Sequence, residues 1–309
     1  MPAIEILGFE KTYPVGFWRK TKKFGLKSLN LQVQEGEVFG FLGPNGAGKT
    51  TTLKLLMGLI FPSAGTARIL GRDWRDPWAR SRVGFLPEQP YFYDYLTPLE
   101  LLDYYGLLSG LTASDRRNRI PKLLERLGLA ENSRVQLRKF SKGMLQRVGI
   151  AQAVLHEPNI VFLDEPMSGL DPIGRREMRD FIQSLKQEGK TIFFSTHILS
   201  DAEALCDRVA VLSRGELRGT GVVAELMATS RKKVEVIWQG ASLAESTKHL
   251  VAECHVAGQT VRALVDADKL EEILSAVRAT QGRLISVNPA GGSLEEYFFQ
   301  KLGRSAEEK

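Results

Sequence analysis

Short apolar runs that end in polar or glycine residues recur along the first 225 residues of the chain. Four of these runs lie at residues 38–42, 160–163, 191–195 and 209–212, and helical or glycine-rich segments separate them. Near-continuous apolar strands are typical of a parallel sheet that helices cover on both faces. The pattern therefore predicts a mostly parallel α/β fold that binds ligands beyond the carboxyl ends of its strands.

Residues 97–130 interrupt this alternation with two segments of helical periodicity. The first begins at Thr97, which is followed by Pro98 and, three residues after the threonine, by Glu100; this is the pattern of a capping box. A second apolar stripe follows, and Pro121 predicts a kink or a new start within it. We interpret these segments as part of a helical insertion that spans about residues 90–155.

A charged stretch at residues 229–233 predicts a boundary between a first domain, 1–228, and a second, 229–309. The second contains predicted strands at 233–238, 253–257, 260–265 and 283–288, predicted helices at 241–251 and 267–280, and a last helix at 293–302. This β-α-β-β-α-β order predicts a small α+β domain of the ferredoxin-like type. No motif with chemistry occurs in it, and a dimerisation element and a small-ligand sensor both remain open.

Composition places the chain among ordinary globular proteins. With 309 residues, 43 % hydrophobic and 25 % charged, it is too apolar for a disordered or collagen-like chain and long enough for about two domains. Two cysteines are too few for a disulfide framework. No apolar window reaches the ~18 residues of a spanning helix, and no signal pattern opens the chain. We therefore expect a cytosolic protein. The net charge of +6 is compatible with nucleic acid or anionic lipid as a partner and does not distinguish between them.

A phosphate-binding loop is the first motif that carries chemistry. The segment Gly43–Thr50 has two glycines, a lysine and a threonine at the spacing of the P-loop, with a strand before it and a helix after it. Backbone amides of such a loop contact phosphate oxygens, the lysine adds a positive charge, and the threonine hydroxyl can bind Mg²⁺. We expect the nucleotide to contact the following residues of this segment and the threonine after it: Gly43, Asn45, Gly46, Ala47, Gly48, Lys49, Thr50 and Thr51.

An acidic pair follows the apolar run at 160–163. Asp164, at the end of this strand, is placed to hold Mg²⁺. Glu165 extends one residue further, where a carboxylate can orient and deprotonate an attacking water.

With these motifs, the sequence resembles the nucleotide-binding subunits of ATP-binding-cassette (ABC) transporters over about residues 3–225. Beside the Walker A segment 43–50 and the Walker B segment 160–164, it has motifs that resemble the signature (140–144), the D-loop (168–171), the Q-loop (87–89), the switch histidine His197 and the A-loop aromatic Tyr13. Three segments are most similar to those of the ABC-2 type exporter subfamily: the amino-acid sequence of the signature, the Pro-Glu pair at 87–88 and the segment 293–298. The implied fold is a P-loop NTPase with an ABC-type helical insertion.

The resemblance implies a role for each of these residues. Tyr13 stacks on adenine, and His197 binds the γ-phosphate beside the catalytic Glu165. Ser141 and Gly143 open a helix whose amino terminus carries partial positive charge and, in the family, faces the γ-phosphate bound by the other subunit. The resemblance also implies that Asp171 of the D-loop contacts the nucleotide.

Some positions depart from the commonest family pattern. Lys142 and Met144 replace a glycine and a glutamine of the signature, and the role of Lys142 is open. Glu88 takes the place of the Q-loop glutamine and Gln89 follows it, so both are candidate contacts for Mg²⁺ or its water; the register favours Glu88. The segment after Tyr13 is longer than usual. It carries Phe17, Trp18, which competes with Tyr13 for adenine, and a basic run that is either a solvated hairpin or a lipid headgroup contact: Arg19, Lys20, Lys22, Lys23 and Lys27.

These observations predict an ATP-hydrolysing subunit that drives transport with ATP and Mg²⁺ as cofactors. The resemblance implies a second copy or a homologous ATPase subunit, separate transmembrane permease subunits, and a peripheral position at the cytoplasmic face of the plasma membrane. We expect residues 88–111 to meet the permease through an aromatic cluster: Tyr91, Phe92, Tyr93 and Tyr95. Export is favoured by the subfamily only, and the substrate is unassigned. An ABC-type ATPase acting on ribosomes or nucleic acid is one alternative, and a nonhydrolytic ATP sensor is another.

Overall fold

The computed structural model describes residues 1–15, 21–229, 233–240, 250–290 and 294–302. The chain forms two compact units, Met1–Thr220 and Gly221–Lys309. The sequence-based division at residue 229 lies within the second unit. Among the described residues, no helix has both the length and the apolar composition needed to cross a membrane.

The first unit combines two sheets with helices. Its strands, in chain order, are β1 (Pro2–Val15), β2 (Thr21–Gln34), β3 (Val38–Leu42), β4 (Ala64–Ile69), β5 (Arg72–Asp73), β6 (Val83–Leu86), β7 (Ile160–Asp164), β8 (Thr191–Thr196), β9 (Arg208–Ser213) and β10 (Glu216–Val222), which ends in the second unit. Its helices are α1 (Lys49–Leu56), α2 (Pro77–Ser81), α3 (Pro98–Leu108), α4 (Ala113–Arg126), α5 (Lys142–Val154), α6 (Pro172–Gln187) and α7 (Leu199–Leu205).

The larger sheet of this unit has the order β10-β9-β3-β8-β7-β6. Strand β3 pairs in parallel with β8 and β9, and β7 pairs in parallel with β6 and β8. Every residue of β3, β7 and β8 is buried, and Phe193 packs its ring against Phe39, Phe41 and Phe162. The predicted parallel α/β sheet is thus confirmed, and the carboxyl ends of β3, β7 and β8 lie side by side.

The smaller sheet was not predicted from the sequence. It is antiparallel, with the order β2-β1-β4-β5. Strands β1 and β2 pair as far as Pro14 with Lys22 and Val15 with Thr21. Within the long segment that follows Tyr13, residues 16–20, including Phe17, Trp18, Arg19 and Lys20, lie outside the described residues, as do the side chains of Lys22 and Lys23. Lys27 on β2 is paired with Glu216, at 2.8 Å.

The helical insertion contains α3, α4 and α5. Thr97 caps α3 through a capping box with Glu100, as the sequence predicted, and an unpredicted capping box of Thr112 with Asp115 opens α4. Helix α4 runs continuously through Pro121, so the predicted restart there is wrong. Helix α5 packs closely against the larger sheet at Gly84 of β6. A Cβ added at this glycine would lie 2.0 Å from the carbonyl oxygen of Ala153.

The second unit contains a separate antiparallel sheet. Its described elements are α8 (Val223–Thr229), β11 (Lys233–Gln239), β12 (Val251–Ala257), β13 (Thr260–Asp266), α9 (Leu270–Ala279), β14 (Arg283–Ala290) and α10 (Leu294–Leu302). The strand order β12-β13-β11-β14 is the order of a ferredoxin-like sheet. Trp238 and Val261 of the sheet are buried with Ile273 of α9. The helix predicted at 241–251 falls mostly on residues that the structure does not describe, and α8 was not predicted.

Candidate active site

The loop between β3 and α1 is shaped by its glycines. Gly46 and Gly48 have φ of 79° and 115°, in the region that glycine adopts without strain. A Cβ added at Gly43 would lie 2.4 Å from the carbonyl oxygen of Leu212, and one at Gly48 would lie 2.6 Å from that of Gly25. The loop therefore requires glycine for both conformation and packing. Lys49 opens α1, and its Nζ donates a 2.6 Å hydrogen bond to the carbonyl oxygen of Gly43.

The Glu165 carboxylate is buried between a cation and an imidazole. Its Oε1 lies 3.3 Å from Nζ of Lys49, and its Oε2 lies 2.9 Å from Nδ1 of His197. Glu165 is 7 % exposed and Lys49 is 6 % exposed. The Glu165 backbone has φ of 50°, a conformation that costs free energy for a residue with a side chain, and its N–H donates to the carbonyl oxygen of Ser195 at 3.1 Å. This turn at the end of β7 holds the Glu165 carboxylate, which can act as a base, where water has limited access.

The neighbouring Asp164 has one satisfied and one free oxygen. Ser195 donates from Oγ to Oδ1 at 2.5 Å. Burial raises the pKa of Asp164 and the adjacent Glu165 charge adds to the rise, while the hydrogen bonds from Ser195 and Thr50 oppose it. Oδ2 is buried without a partner. A buried free carboxylate oxygen beside a threonine hydroxyl is a donor set that suits Mg²⁺. Sequence reasoning did not single out Ser195, although it is a polar residue near the end of an apolar strand.

A cavity of about 500 Å³ lies over the phosphate loop. Its lining residues are Tyr13, Phe24, Gly25, Pro44, Asn45, Gly46, Ala47, Gly48, Lys49, Thr50, Thr51, Glu88 and Glu165. The structure thus brings Tyr13 and Glu88 to the predicted phosphate loop and to Glu165. The Tyr13 ring packs against Gly25: a Cβ added at this glycine would lie 2.8 Å from Cε2 of the ring. Phe24, which the sequence analysis did not name, is the second aromatic of the cavity. Trp18 lies outside the described residues.

Five predicted nucleotide contacts are not in the described lining of this cavity: Gly43, Ser141, Gly143, Asp171 and His197. Gly43 begins the phosphate loop itself, and His197 contacts Glu165. Ser141 caps α5 by accepting from the Met144 N–H at 3.2 Å. Asp171 caps α6 by accepting from the Gly174 N–H at 2.6 Å. A Cβ at Gly143 would lie 3.1 Å from Cδ2 of Leu170, so the signature and the D-loop contact each other within one chain.

A second cavity of about 480 Å³, which we call the Q-loop groove, lies between the segment 88–94 and α5. Its lining residues are Glu88, Gln89, Pro90, Tyr91, Phe92, Asp94, Leu137, Arg138, Phe140, Lys142, Leu145 and Gln146. Glu88 borders both cavities, whereas Gln89 is in the described lining of the groove only. Gln146 is 1 % exposed, and both of its side-chain amide atoms lack a partner. An occupant of the groove can satisfy them.

Comparison with known proteins agrees with this geometry. A family profile described as ABC transporter matches residues 26–168. An ABC transporter ATP-binding protein of Synechocystis sp. is 47 % identical, over 97 % of this chain and 84 % of that protein. The bacitracin transport ATP-binding protein BcrA of Enterococcus faecalis is 37 % identical, over 92 % of this chain and 94 % of that protein. The daunorubicin resistance ATP-binding protein DrrA3 of Streptomyces coeruleorubidus is 36 % identical, over 97 % and 96 %.

Solved structures give the same result. An ATP-binding subunit of an ABC transporter superposes with a TM-score of 0.65 and 31 % identity, over 74 % of this chain and 92 % of that chain. An ATP-binding cassette in a dimeric, post-hydrolysis state with ADP and Pi also has a TM-score of 0.65, at 26 % identity, over 71 % of this chain and 98 % of that chain.

Proposed function

Since the chain belongs to the family of ABC transporter ATP-binding proteins, and is therefore an ATP-binding and ATP-hydrolysing transport subunit, we propose a role for each part of its site. ATP occupies the cavity over the phosphate loop, with its phosphates on the loop amides and its adenine on Tyr13. The Lys49 ammonium group donates to the carbonyl oxygen of Gly43 and lies beside the Glu165 carboxylate. Bound phosphate competes for the same ammonium group. Binding of ATP therefore changes the surroundings of the Glu165 carboxylate.

Thr50 and Asp164 are the residues that would hold Mg²⁺, with Glu88 or Gln89 as a further contact. The free Oδ2 of Asp164 supports this assignment, and the place of Glu88 in the lining of the cavity favours it over Gln89. When bound, the ion offsets the negative charge of the phosphate oxygens.

Hydrolysis uses Glu165 as the general base. Its carboxylate accepts the proton of the attacking water, and the contact of Oε2 with His197 fixes its orientation. His197 contacts Glu165 through Nδ1, which leaves Nε2 for the γ-phosphate. The buried carboxylate between Lys49 and His197 is the observation that carries this proposal.

Two copies of the chain close around two ATP molecules. Ser141, Gly143 and Asp171 lie outside the cavity of their own chain and serve the nucleotide that the other copy binds. The dimeric cassette among the structural relatives supports this arrangement. A homologous ATPase subunit in place of the second copy satisfies the same geometry.

Separate transmembrane permease subunits couple to this ATPase through the Q-loop groove and the aromatic cluster beside it. In that cluster Tyr93 lies 5.9 Å from Tyr95 and 6.5 Å from Tyr104, measured between ring centroids. Tyr91 is 91 % exposed, and such a surface suits burial against an apolar helix. The complex lies at the cytoplasmic face of the membrane. Relatives named for bacitracin transport and daunorubicin resistance support export, and no observation favours action on ribosomes or nucleic acid.

The division into a nucleotide-binding domain, 1–228, and an accessory domain, 229–309, belongs to the same proposal. The accessory domain is a dimerisation element or a ligand sensor. Deletion of residues after Ser230, followed by measurement of dimerisation and ATP hydrolysis, separates the two.

The function is tested with the variant Glu165→Gln in the full-length chain. We expect ATP binding to persist, hydrolysis to fall by about 10²-fold or more, and an ATP-dependent dimer to accumulate in size-exclusion chromatography with light scattering. Glu131→Gln, on the exposed surface, is the matched control and keeps wild-type turnover. Wild-type hydrolysis in Glu165→Gln would remove Glu165 from the role of base.

A further inference from the structure

Lys142 lies across the D-loop of its own chain. Its Nζ is 3.4 Å from Oγ of Ser168. A Cβ added at Gly169 would lie 2.6, 2.8 and 2.9 Å from Cδ, Cε and Nζ of the lysine, so the aliphatic part of the side chain covers this glycine closely. Long lysine side chains bury their methylene groups in this way while the ammonium group bonds a polar partner.

Gly169 is suited to this contact in two respects. It has φ of 75°, which a residue with a side chain adopts only with strain. The absence of a Cβ also leaves the space that the lysine occupies. A second contact, of Gly143 with Leu170, joins the same two segments. The start of α5 and the D-loop therefore fit together over neighbouring residues, although they are 26 residues apart in sequence.

Ser168 connects this contact to the catalytic carboxylate. Its backbone N–H donates a 3.0 Å hydrogen bond to the carbonyl oxygen of Glu165, which closes a tight turn just after β7. Glu165 has positive φ within this turn, and a strained conformation persists only where surrounding contacts hold it. A side chain that anchors Ser168 thus helps to fix the turn from which the Glu165 carboxylate projects.

We propose that Lys142 is a positioning residue for ATP hydrolysis, which holds Ser168 and Gly169 so that the Glu165 carboxylate stays between Lys49 and His197. This inference rests on the proposed role of Glu165 as base. It gives a function to the lysine that stands in place of the usual signature glycine. Its contribution acts on the reaction step, because its contacts are with Ser168 and Gly169, next to the turn that carries Glu165.

The test compares full-length Lys142→Met, Lys142→Arg, Ser168→Ala and the double variant Lys142→Met/Ser168→Ala with wild type. We expect kcat for Mg·ATP to fall about tenfold in Lys142→Met, since small displacements of a reacting group cost this much or more. KM and the Kd of a fluorescent ATP analogue should stay within about twofold. Arginine keeps the charge and the reach, so Lys142→Arg should recover at least about half of kcat. The double variant should lose no more than the larger single loss.

Lys139→Met removes an exposed lysine three residues earlier and is the matched control, with unchanged kcat and KM. Unchanged kcat in Lys142→Met, failure of arginine to rescue, or losses that multiply in the double variant would each overturn the inference. If Lys142→Met does not fold, as its melting temperature shows, unchanged kcat in Ser168→Ala overturns it. Glu165→Gln is measured alongside: wild-type turnover in that variant contradicts the proposed function itself, independently of Lys142.

Discussion

The hydroxyl of Ser195 donates a hydrogen bond to Oδ1 of Asp164, 2.5 Å away on the neighbouring strand. This bond fixes the carboxylate at the end of β7 and leaves Oδ2 buried without a partner. A buried unpaired oxygen on an acid costs free energy. This arrangement supports the proposal that Asp164 helps to hold Mg²⁺.

Asp164→Asn should separate metal binding from folding. Burial raises the pKa of Asp164, so the charged form of this carboxyl is disfavoured in the folded state and destabilises it. Without ligands, we expect Asp164→Asn to melt at the wild-type temperature or higher. Mg·ATP at 100 times its Kd stabilises the wild type by about 2.7 kcal/mol, and we expect little of this in the variant. Asp180→Asn, at an exposed site, is the control. Equal stabilisation of both proteins by Mg·ATP would contradict the metal role.

Tyr13→Ala should weaken ATP binding through loss of stacking on adenine. Stacking of a base on an aromatic ring contributes about 1–3 kcal/mol, which corresponds to a roughly 5- to 150-fold rise in Kd. Tyr13→Phe should bind like wild type, and the affinity for inorganic triphosphate, which has no base, should not change in any of these variants. Fluorescence titration checks both ligands. Trp18→Ala serves as the comparison: a loss in that variant with none in Tyr13→Ala assigns the adenine to Trp18 instead.

Replacement of both Tyr91 and Tyr95 by alanine should separate hydrolysis from transport. These exposed rings are not in the described lining of the cavity over the phosphate loop, so the isolated chain should keep its ATP hydrolysis. Co-purification with the permease should fall about tenfold or more, since a few aromatic contacts dominate typical interfaces. Phe61→Ala, at another exposed aromatic, is the control. Intact assembly and transport in the double variant would exclude this surface as the coupling site.

Stability should decrease on mild acidification because of His156. Its Nε2 lies 3.2 Å from the carbonyl oxygen of Val83, and burial lowers its pKa. Below about pH 6.5, the ordinary histidine pKa, the unfolded chain takes up a proton that the folded protein accepts only at lower pH, so stability is lost as pH falls through this range. His156→Gln should lose less in urea unfolding between about pH 7.5 and about pH 5.5, whereas His255→Gln, at an exposed site, should follow the wild type. Identical pH profiles for all three proteins would refute the prediction.

The amino-acid sequence alone was sufficient for features that depend on local spacing. The phosphate loop requires glycine at positions set by backbone conformation, and the buried strands are recognisable as short apolar runs. The acids Asp164 and Glu165 were recognisable because they come directly after one such run. The long strands β1 and β2 were missed, since residues that face the core alternate with exposed ones along an irregular register, and Phe24 was missed with them.

The tertiary structure decided which distant side chains meet. Ser195 reaches Asp164 across 31 residues of sequence, and Lys142 reaches Ser168 across 26; neither contact has a local pattern. The sequence register already favoured Glu88 over Gln89, and the lining of the two cavities supports the same proposal, since Glu88 borders the cavity over the phosphate loop. Local sequence fixes backbone conformation and burial, whereas the pairing of side chains depends on how strands and helices from separate parts of the chain pack together.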